Sequence, residues 1–343
     1  MQVECAHGAG PDASACMPFG EGQRGPHGVN RTVAVAAAAF LFSAASFASE
    51  IVSHTVKTNL RDYEQLTLFL MMPPEGQVEG VFCLSLLAKH PDDVRAQLKG
   101  TSKRRPVDRA LDFARERRFA VVAWGARRLW DPTRNWDELP RSEANRIDAR
   151  FDKVANAWNA GINFFVKKYG IPPSGYLMMG SSGAAQYAQR LALRRPERFL
   201  AVHAHIASSF DIPVKGGASL LWCVTTGENE MGYERSRRFF KAARDLSYPI
   251  IYKAYPGLGH EGSAKVTELG FTCFEFALAE QAHAVKLNGG KFAKPDWAKI
   301  FKSSDYVADV FNQSVYPKAD AICVPQEFRM LLPAAIREAW IGE

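Results

Sequence analysis

A short apolar run, Tyr176-Leu-Met-Met179, stops at Gly180-Ser-Ser-Gly183 and continues as Ala184-Ala-Gln-Tyr-Ala-Gln-Arg-Leu-Ala-Leu193. The first segment has the length of a buried strand, and the second is rich in strong helix formers. A strand that becomes a helix within so few residues must turn sharply. The turn brings together the residues two before and two after its apex, so both must be small. Around Ser182 these are Gly180 and Ala184; around Ser181 they are Met179 and Gly183, and Met179 is too bulky. Ser182 is therefore the expected apex. Its hydroxyl would stand at the C-terminal edge of a sheet, beside the free N–H groups that open the new helix, that of Gly183 first. A glycine-rich turn without chemistry has a similar composition, so the motif gains meaning only with partners.

The rest of the chain alternates strand-like and helix-like segments. Ile51–Lys57 and Gln65–Met72 read as early strands. Val81–Leu87, Phe119–Trp124, Phe199–Ile206, Ser219–Thr225 and Ile250–Tyr255 read as buried ones. Residues 108–118, 145–169, 234–246 and 264–286 carry helical spacing. This alternation predicts an α/β fold with a mostly parallel twisted sheet and helices on both faces. Right-handed crossovers then bring the strand C-termini to one edge, where ligands bind.

A serine becomes a nucleophile only with a base to take its proton and an acid to orient that base. Gly227-Glu-Asn-Glu230 follows one strand, and Pro256-Gly-Leu-Gly-His260 follows the last. The order is serine, acid, histidine, each just beyond a strand. Residues from about 51 to 285 resemble the α/β-hydrolase superfamily, with its esterases, dienelactone hydrolases and prolyl-oligopeptidase-like serine hydrolases. The likeness is carried by the segment from Met179 to Phe199, including its Arg-Pro-Glu-Arg198 step, and by the loops Gly227–Glu230 and Gly257–His260. It implies an α/β-hydrolase fold in which Ser182 is nucleophile, Glu230 acid and His260 base. Glu stands where Asp is commoner, and Glu228 and Asp211 are rival acids. The resemblance also implies an oxyanion hole made by the Gly183 N–H and a second N–H near the end of the strand 81–87. Leu84-Ser-Leu-Leu-Ala88 replaces the His-Gly found there in many members, leaving Leu86 or Leu87 as donor.

The link from Ser208 to Ser219 is short, which predicts no large cap domain and an open cleft. Trp130, Asn135 and Trp136, in the loop after a central strand, are candidate substrate-binding residues; simple loop packing accounts for them equally. His203 and His205 share a strand face and read as packing or pocket-lining groups rather than metal ligands. No metal or cofactor is expected. The tail 288–343 holds Trp297, Phe301, Tyr306, Phe311 and Trp340, too many aromatics for disorder, and is expected to pack on the catalytic domain 49–287.

Arg31, the apolar run Val33–Phe42 and the small residues after it read as a signal peptide ending near Ala48, with translation starting near Val29. Residues 1–48 are thus expected to be a leader and signal peptide, and the mature protein to be periplasmic or extracellular. The formal charge of +7 is spread over scattered clusters mixed with acids, which argues against nucleic acid as a partner. No window is apolar enough to span a membrane. Of the cysteines, Cys83 and Cys223 sit in strand-like runs, and Cys273 with Cys323 is the plausible pair. The function expected is cleavage of a small or polymeric carboxylic ester through an acyl-enzyme. The alternatives are a serine peptidase of prolyl-oligopeptidase type and an inactive hydrolase-like binding protein. Oligomeric state is open.

Overall fold

The computed structural model describes residues 50–342, apart from 61–62, 75, 101–104 and 126–140. The segment read as a leader and signal peptide, and the loop holding Trp130, Asn135 and Trp136, lie outside the described residues.

An eight-stranded sheet forms the middle layer. Its strands are β1 (Ile51–Lys57), β2 (Gln65–Met71), β3 (Gly80–Leu86), β4 (Phe119–Gly125), β5 (Tyr176–Ser181), β6 (Phe199–His205), β7 (Leu221–Gly227) and β8 (Ile250–Tyr255). The spatial order is β1-β2-β4-β3-β5-β6-β7-β8. β2 runs antiparallel to both its neighbours, and every later pair is parallel. The central strands are buried along almost their whole length, as a sheet covered on both faces requires.

The helices are α1 (Pro91–Leu98), α2 (Arg105–Glu116), α3 (Arg141–Tyr169), α4 (Gly183–Arg194), α5 (Tyr233–Asp245) and α6 (Ala264–Leu287). Side-chain parity shows two covering layers. Phe82 of β3 meets Phe113 of α2 at 5.7 Å and Phe274 of α6 at 5.4 Å. Phe82 is in register with Val121, and Trp124, three residues on, points to the opposite face. There it meets Trp158 of α3 at 5.9 Å. α3 in turn touches α4 through Phe151 and Tyr187. The link from β6 to β7, residues 206–220, holds only a short 3₁₀ helix, Lys215–Ser219. Among the described residues no helix is long and apolar enough to cross a membrane.

Beyond α6 the chain continues as α7 (Trp297–Lys302), a three-stranded sheet of β9 (Tyr306–Asp309), β10 (Ser314–Pro317) and β11 (Arg329–Leu332), and α8 (Ala334–Ile341). This tail lies against the outer strand β8. The backbone N–H of Tyr252 donates to Sδ of Met330 at 3.0 Å, and its carbonyl accepts Nε1–H of Trp340 at 2.9 Å. Trp340 is fully buried. Lys253 Nζ donates to the carbonyls of Trp340 and Ile341, and Lys265 Nζ to that of Gly342, so two ammonium groups sit at the negative end of α8.

The cysteine pairing differs from expectation. All four described cysteines are free: Cys323 is exposed, while Cys273 is buried beside Cys223. Cys273 faces inward from α6 onto β7, whereas Cys323 lies in a 3₁₀ turn of the tail.

Candidate active site

β5 ends at Ser181 and α4 begins at Gly183, leaving Ser182 alone in the turn. Its φ of 58° and ψ of −133° lie where a non-glycine residue is strained, and such strain persists only when the surroundings enforce it. The enforcement is visible. The Ser182 N–H donates to the carbonyl of His205 on β6 at 2.9 Å, and the Ala185 N–H donates to the Ser182 carbonyl at 2.9 Å. A Cβ on Gly180 would stand 2.6 Å from the Ala184 carbonyl oxygen and 2.9 Å from the Ala185 Cα, so only glycine fits before the apex. Gly183, as the first residue of α4, has an N–H with no acceptor inside the helix.

The other two groups come from loops clipped to each other. The N–H of Asn229 donates to the Leu258 carbonyl at 2.9 Å, and the N–H of Glu228 to the Tyr255 carbonyl at 3.1 Å. A Cβ on Gly227 would come within 2.8 Å of the Gly259 carbonyl oxygen, which explains the glycine ending β7. The acid loop and the histidine loop are therefore joined directly by backbone hydrogen bonds.

Ser182 Oγ lies 2.7 Å from His260 Nε2, and His260 Nδ1 lies 2.8 Å from Glu230 Oε2. The Glu230 side chain is 2% exposed and that of His260 is 51% exposed. A buried carboxylate thus anchors an imidazole that opens towards solvent on the serine side. Strand order, a single antiparallel second strand and this strained elbow decide the architecture. This is the α/β-hydrolase fold.

The rival acids are placed elsewhere. Asp211 binds the guanidinium groups of Arg190 at 2.6 Å and Arg194 at 2.8 Å. The Glu228 carboxylate is not the one that meets His260. Ser181 is in register with His205 inside the β5–β6 ladder, and the described partner of His260 is Ser182. Leu86 closes β3 opposite Gly125. The β3–β5 register, Leu84 with Met179, extends to place Leu86 level with Ser181. The end of β3 is thus beside the elbow, where a second N–H is needed.

On the same edge, a cavity of about 440 Å³ opens among Tyr63, Gln65, Phe69, Ala88, His90 and Gly125. It sits at the ends of β3 and β4, two strand spacings, roughly 10 Å, from β5. Sequence reading did not find it, because β2 enters antiparallel and delivers Tyr63 and Gln65 to this edge from a distant part of the chain.

His203 and His205 do share a face, as their spacing requires, and both hydrogen-bond the Thr225 hydroxyl at 3.0 Å. Burial pushes their pKa values down, to about 3 for His203 and about 4 for His205. Among the described residues no group of three or more His, Cys, Asp or Glu is placed to hold a metal ion.

The chain matches no protein-family profile. It matches no curated protein. Many solved structures are similar. One, described as a dipeptidyl aminopeptidase IV from Bacteroides ovatus, shares 12% identity at a TM-score of 0.47 over 67% of this chain and 36% of its own length. A thermostable esterase shares 16% identity at a TM-score of 0.48 over 67% of this chain and 62% of its own. A ferulic acid esterase from the anaerobic fungus Anaeromyces mucronatus shares 12% identity at a TM-score of 0.45, covering 66% of this chain and 89% of its own. This chain thus spans about a third of the first protein and under two thirds of the second.

Proposed function

We propose that this α/β-hydrolase-fold chain is an exported serine hydrolase that cleaves a carboxylic ester through an acyl-enzyme. The observation that carries the reading is the unbroken contact series Ser182 Oγ, His260 Nε2, His260 Nδ1, Glu230 Oε2, at 2.7 and 2.8 Å. In the resting state the Glu230 carboxylate accepts Nδ1–H, which leaves Nε2 with its lone pair towards Ser182. Nε2 takes the hydroxyl proton as Oγ attacks the ester carbonyl. Glu230, buried at fixed distance, stabilises the imidazolium that forms. The Gly183 N–H and an N–H at the end of β3 hold the oxyanion. Collapse expels the alcohol, which takes the proton from His260. Water then enters, gives a proton to the same nitrogen and attacks the acyl carbon; the bond to Ser182 Oγ breaks, Oγ takes the proton back from Nε2, and the acid leaves.

Esters are favoured over amides because an alkoxide leaves more easily than an amine. The short β6–β7 link keeps the cleft uncapped on that side, which suits a bulky or polymeric substrate. The cavity at Tyr63 and Phe69 is assigned to the part of the substrate remote from the reacting carbonyl.

Purified protein is to be incubated with a fluorophosphonate and with 4-nitrophenyl acetate. Covalent labelling at Ser182 together with ester turnover is expected. Absence of both sinks the proposal in favour of a binding protein, and faster cleavage of dipeptide amides than of esters redirects it to a peptidase. Export is checked by N-terminal sequencing of the protein recovered outside the cytoplasm; a chain still carrying residues 1–48 contradicts it.

A further inference from the structure

The reaction as written leaves a buried polar network unused. His203 and His205 on β6 and Thr225 on β7 lie on the face covered by α6, immediately below Ser182 and His260. We propose that His205 is a positioning residue: its imidazole holds the Glu261–Gly262 backbone and so sets where His260 stands relative to Ser182. The inference rests on the serine-hydrolase reading above.

His205 touches all three parts of the site. Its carbonyl accepts the Ser182 N–H at 2.9 Å, so its backbone fixes the elbow. Its Nδ1 lies 3.0 Å from the Thr225 hydroxyl, on the strand that leads to Glu230. Its Nε2 faces the residues following His260: the Glu261 backbone lies beside the ring, and a Cβ on Gly262 would be 3.8 Å from Nε2. The next residue, Ile206, has φ 45°, a strained value for a β-branched side chain, and its N–H donates to the Thr225 carbonyl at 2.8 Å. The backbone is thus held firmly around this one ring.

Proton counting limits the directions the network can take. The Thr225 hydroxyl has one hydrogen, two lone pairs and two imidazole neighbours, so it donates to at most one of the rings. Both rings are buried, and burial keeps both neutral with one N–H each. If Thr225 accepted from His205 Nδ1, the bare lone pair of Nε2 would face the oxygen of the Glu261 carbonyl, which is repulsive. The favourable order runs from His203 Nε2–H to Thr225, from the Thr225 hydroxyl to His205 Nδ1, and leaves Nε2–H of His205 directed at Glu261. Nε2 is buried and makes no well-formed hydrogen bond among the described residues, and the adjacent Glu261 carbonyl is the acceptor this proposal gives it. His203 Nδ1 is then a bare, buried lone pair beside Gly270 of α6, with no donor among the described residues.

The test compares wild type, His205→Leu and His205→Gln by kcat and KM on 4-nitrophenyl acetate and by rate of fluorophosphonate labelling, with circular dichroism to confirm folding. Losing the hold is expected to lower kcat of His205→Leu roughly 100-fold, with KM within about twofold and labelling slowed to match, as for a small misplacement of a reacting group. The Gln variant keeps an N–H within reach of Glu261 and is expected to recover at least about tenfold of that loss. A folded Leu variant with wild-type kcat overturns the inference, as does a folded Gln variant as slow as the Leu one. If the Leu variant does not fold, Gln alone decides: kcat within about fivefold of wild type supports the role, and a loss of about 100-fold overturns it. A wild type that neither turns over ester nor reacts with the fluorophosphonate sinks the serine-hydrolase reading itself, a separate result.

Discussion

Replacing Gly180 by alanine puts one methyl group where the elbow has no room. The added Cβ would lie 2.6 Å from the Ala184 carbonyl oxygen, 2.8 Å from its carbon and 2.9 Å from the Ala185 Cα, all backbone atoms of the first turn of α4. Ordinary contact begins at 3.4 Å, so the turn must retreat by about 0.8 Å. No side-chain rotation can absorb this, because nothing in the clash is a side chain. Overpacking of this kind costs about 1–3 kcal/mol. The retreat also moves Ser182 away from His260, and a displacement approaching 1 Å costs about 10²-fold in rate. Urea denaturation followed by circular dichroism, with kcat on 4-nitrophenyl acetate, reads both effects. Gly259→Ala is the control for stability, since its Cβ would meet nothing within 4 Å and its φ is not positive; it is expected within about 0.5 kcal/mol of wild type. A Gly180→Ala protein with unchanged midpoint and unchanged rate would refute the close approach and with it the reason for the serine's strained backbone.

Further outcomes follow from the same geometry. Ser182→Ala is expected to lower kcat by about 10⁴- to 10⁶-fold with folding intact, while Ser181→Ala retains most activity; the reverse result would move the apex by one residue. Glu230→Gln keeps the shape but favours the wrong tautomer of His260, and a loss of about 10⁴-fold in kcat is expected in steady-state assays. His203 and His205 have folded pKa values, about 3 and about 4, below the unfolded value of 6.5. The unfolded chain therefore binds more protons in that interval, and stability falls as pH drops below 6.5, by up to about 1.4 kcal/mol per pH unit for each ring. A urea midpoint that stays level from pH 6.5 to 5.5 would show that these rings are not held neutral. Trp340→Ala removes a fully buried indole and its bond to Tyr252, and is expected to cost about 3–5 kcal/mol by thermal or urea unfolding.

Much of this architecture was legible because it is local. The sharp strand-to-helix turn follows from Gly180, Ser182 and Ala184 alone, and β1 and β8 fall where their apolar spacing puts them. The contact of Ser182, His260 and Glu230 could be anticipated because each follows a strand, and parallel strands share one C-terminal edge. What escaped is set by tertiary geometry. Asp211 is a rival to Glu230 in the sequence, but two arginines of α4 bind it. Cys273 looked free to meet Cys323, but the helical phase of α6 turns it onto β7. β7 begins at Leu221 rather than Ser219, because the 3₁₀ turn before it takes Ser219. α1 was missed altogether: Pro91-Asp-Asp opens it with the first-turn acids a helix favours, but its eight residues are too few to show a period. The shared Thr225 between two histidines depends on the β6–β7 register, which no spacing reveals.

The tail has a consequence for how copies of this protein meet. β8 is an outer strand of the sheet, and the N–H and C=O of Tyr252 point away from β7, as a template for another chain would present them. Met330 and Trp340 occupy both groups. The stretch 288–292 that leads to them is exposed to proteases. A single nick there that released the tail would leave a sheet with an unsatisfied margin, and self-association through that margin would follow from the loss of a methionine and a tryptophan that take no part in the chemistry.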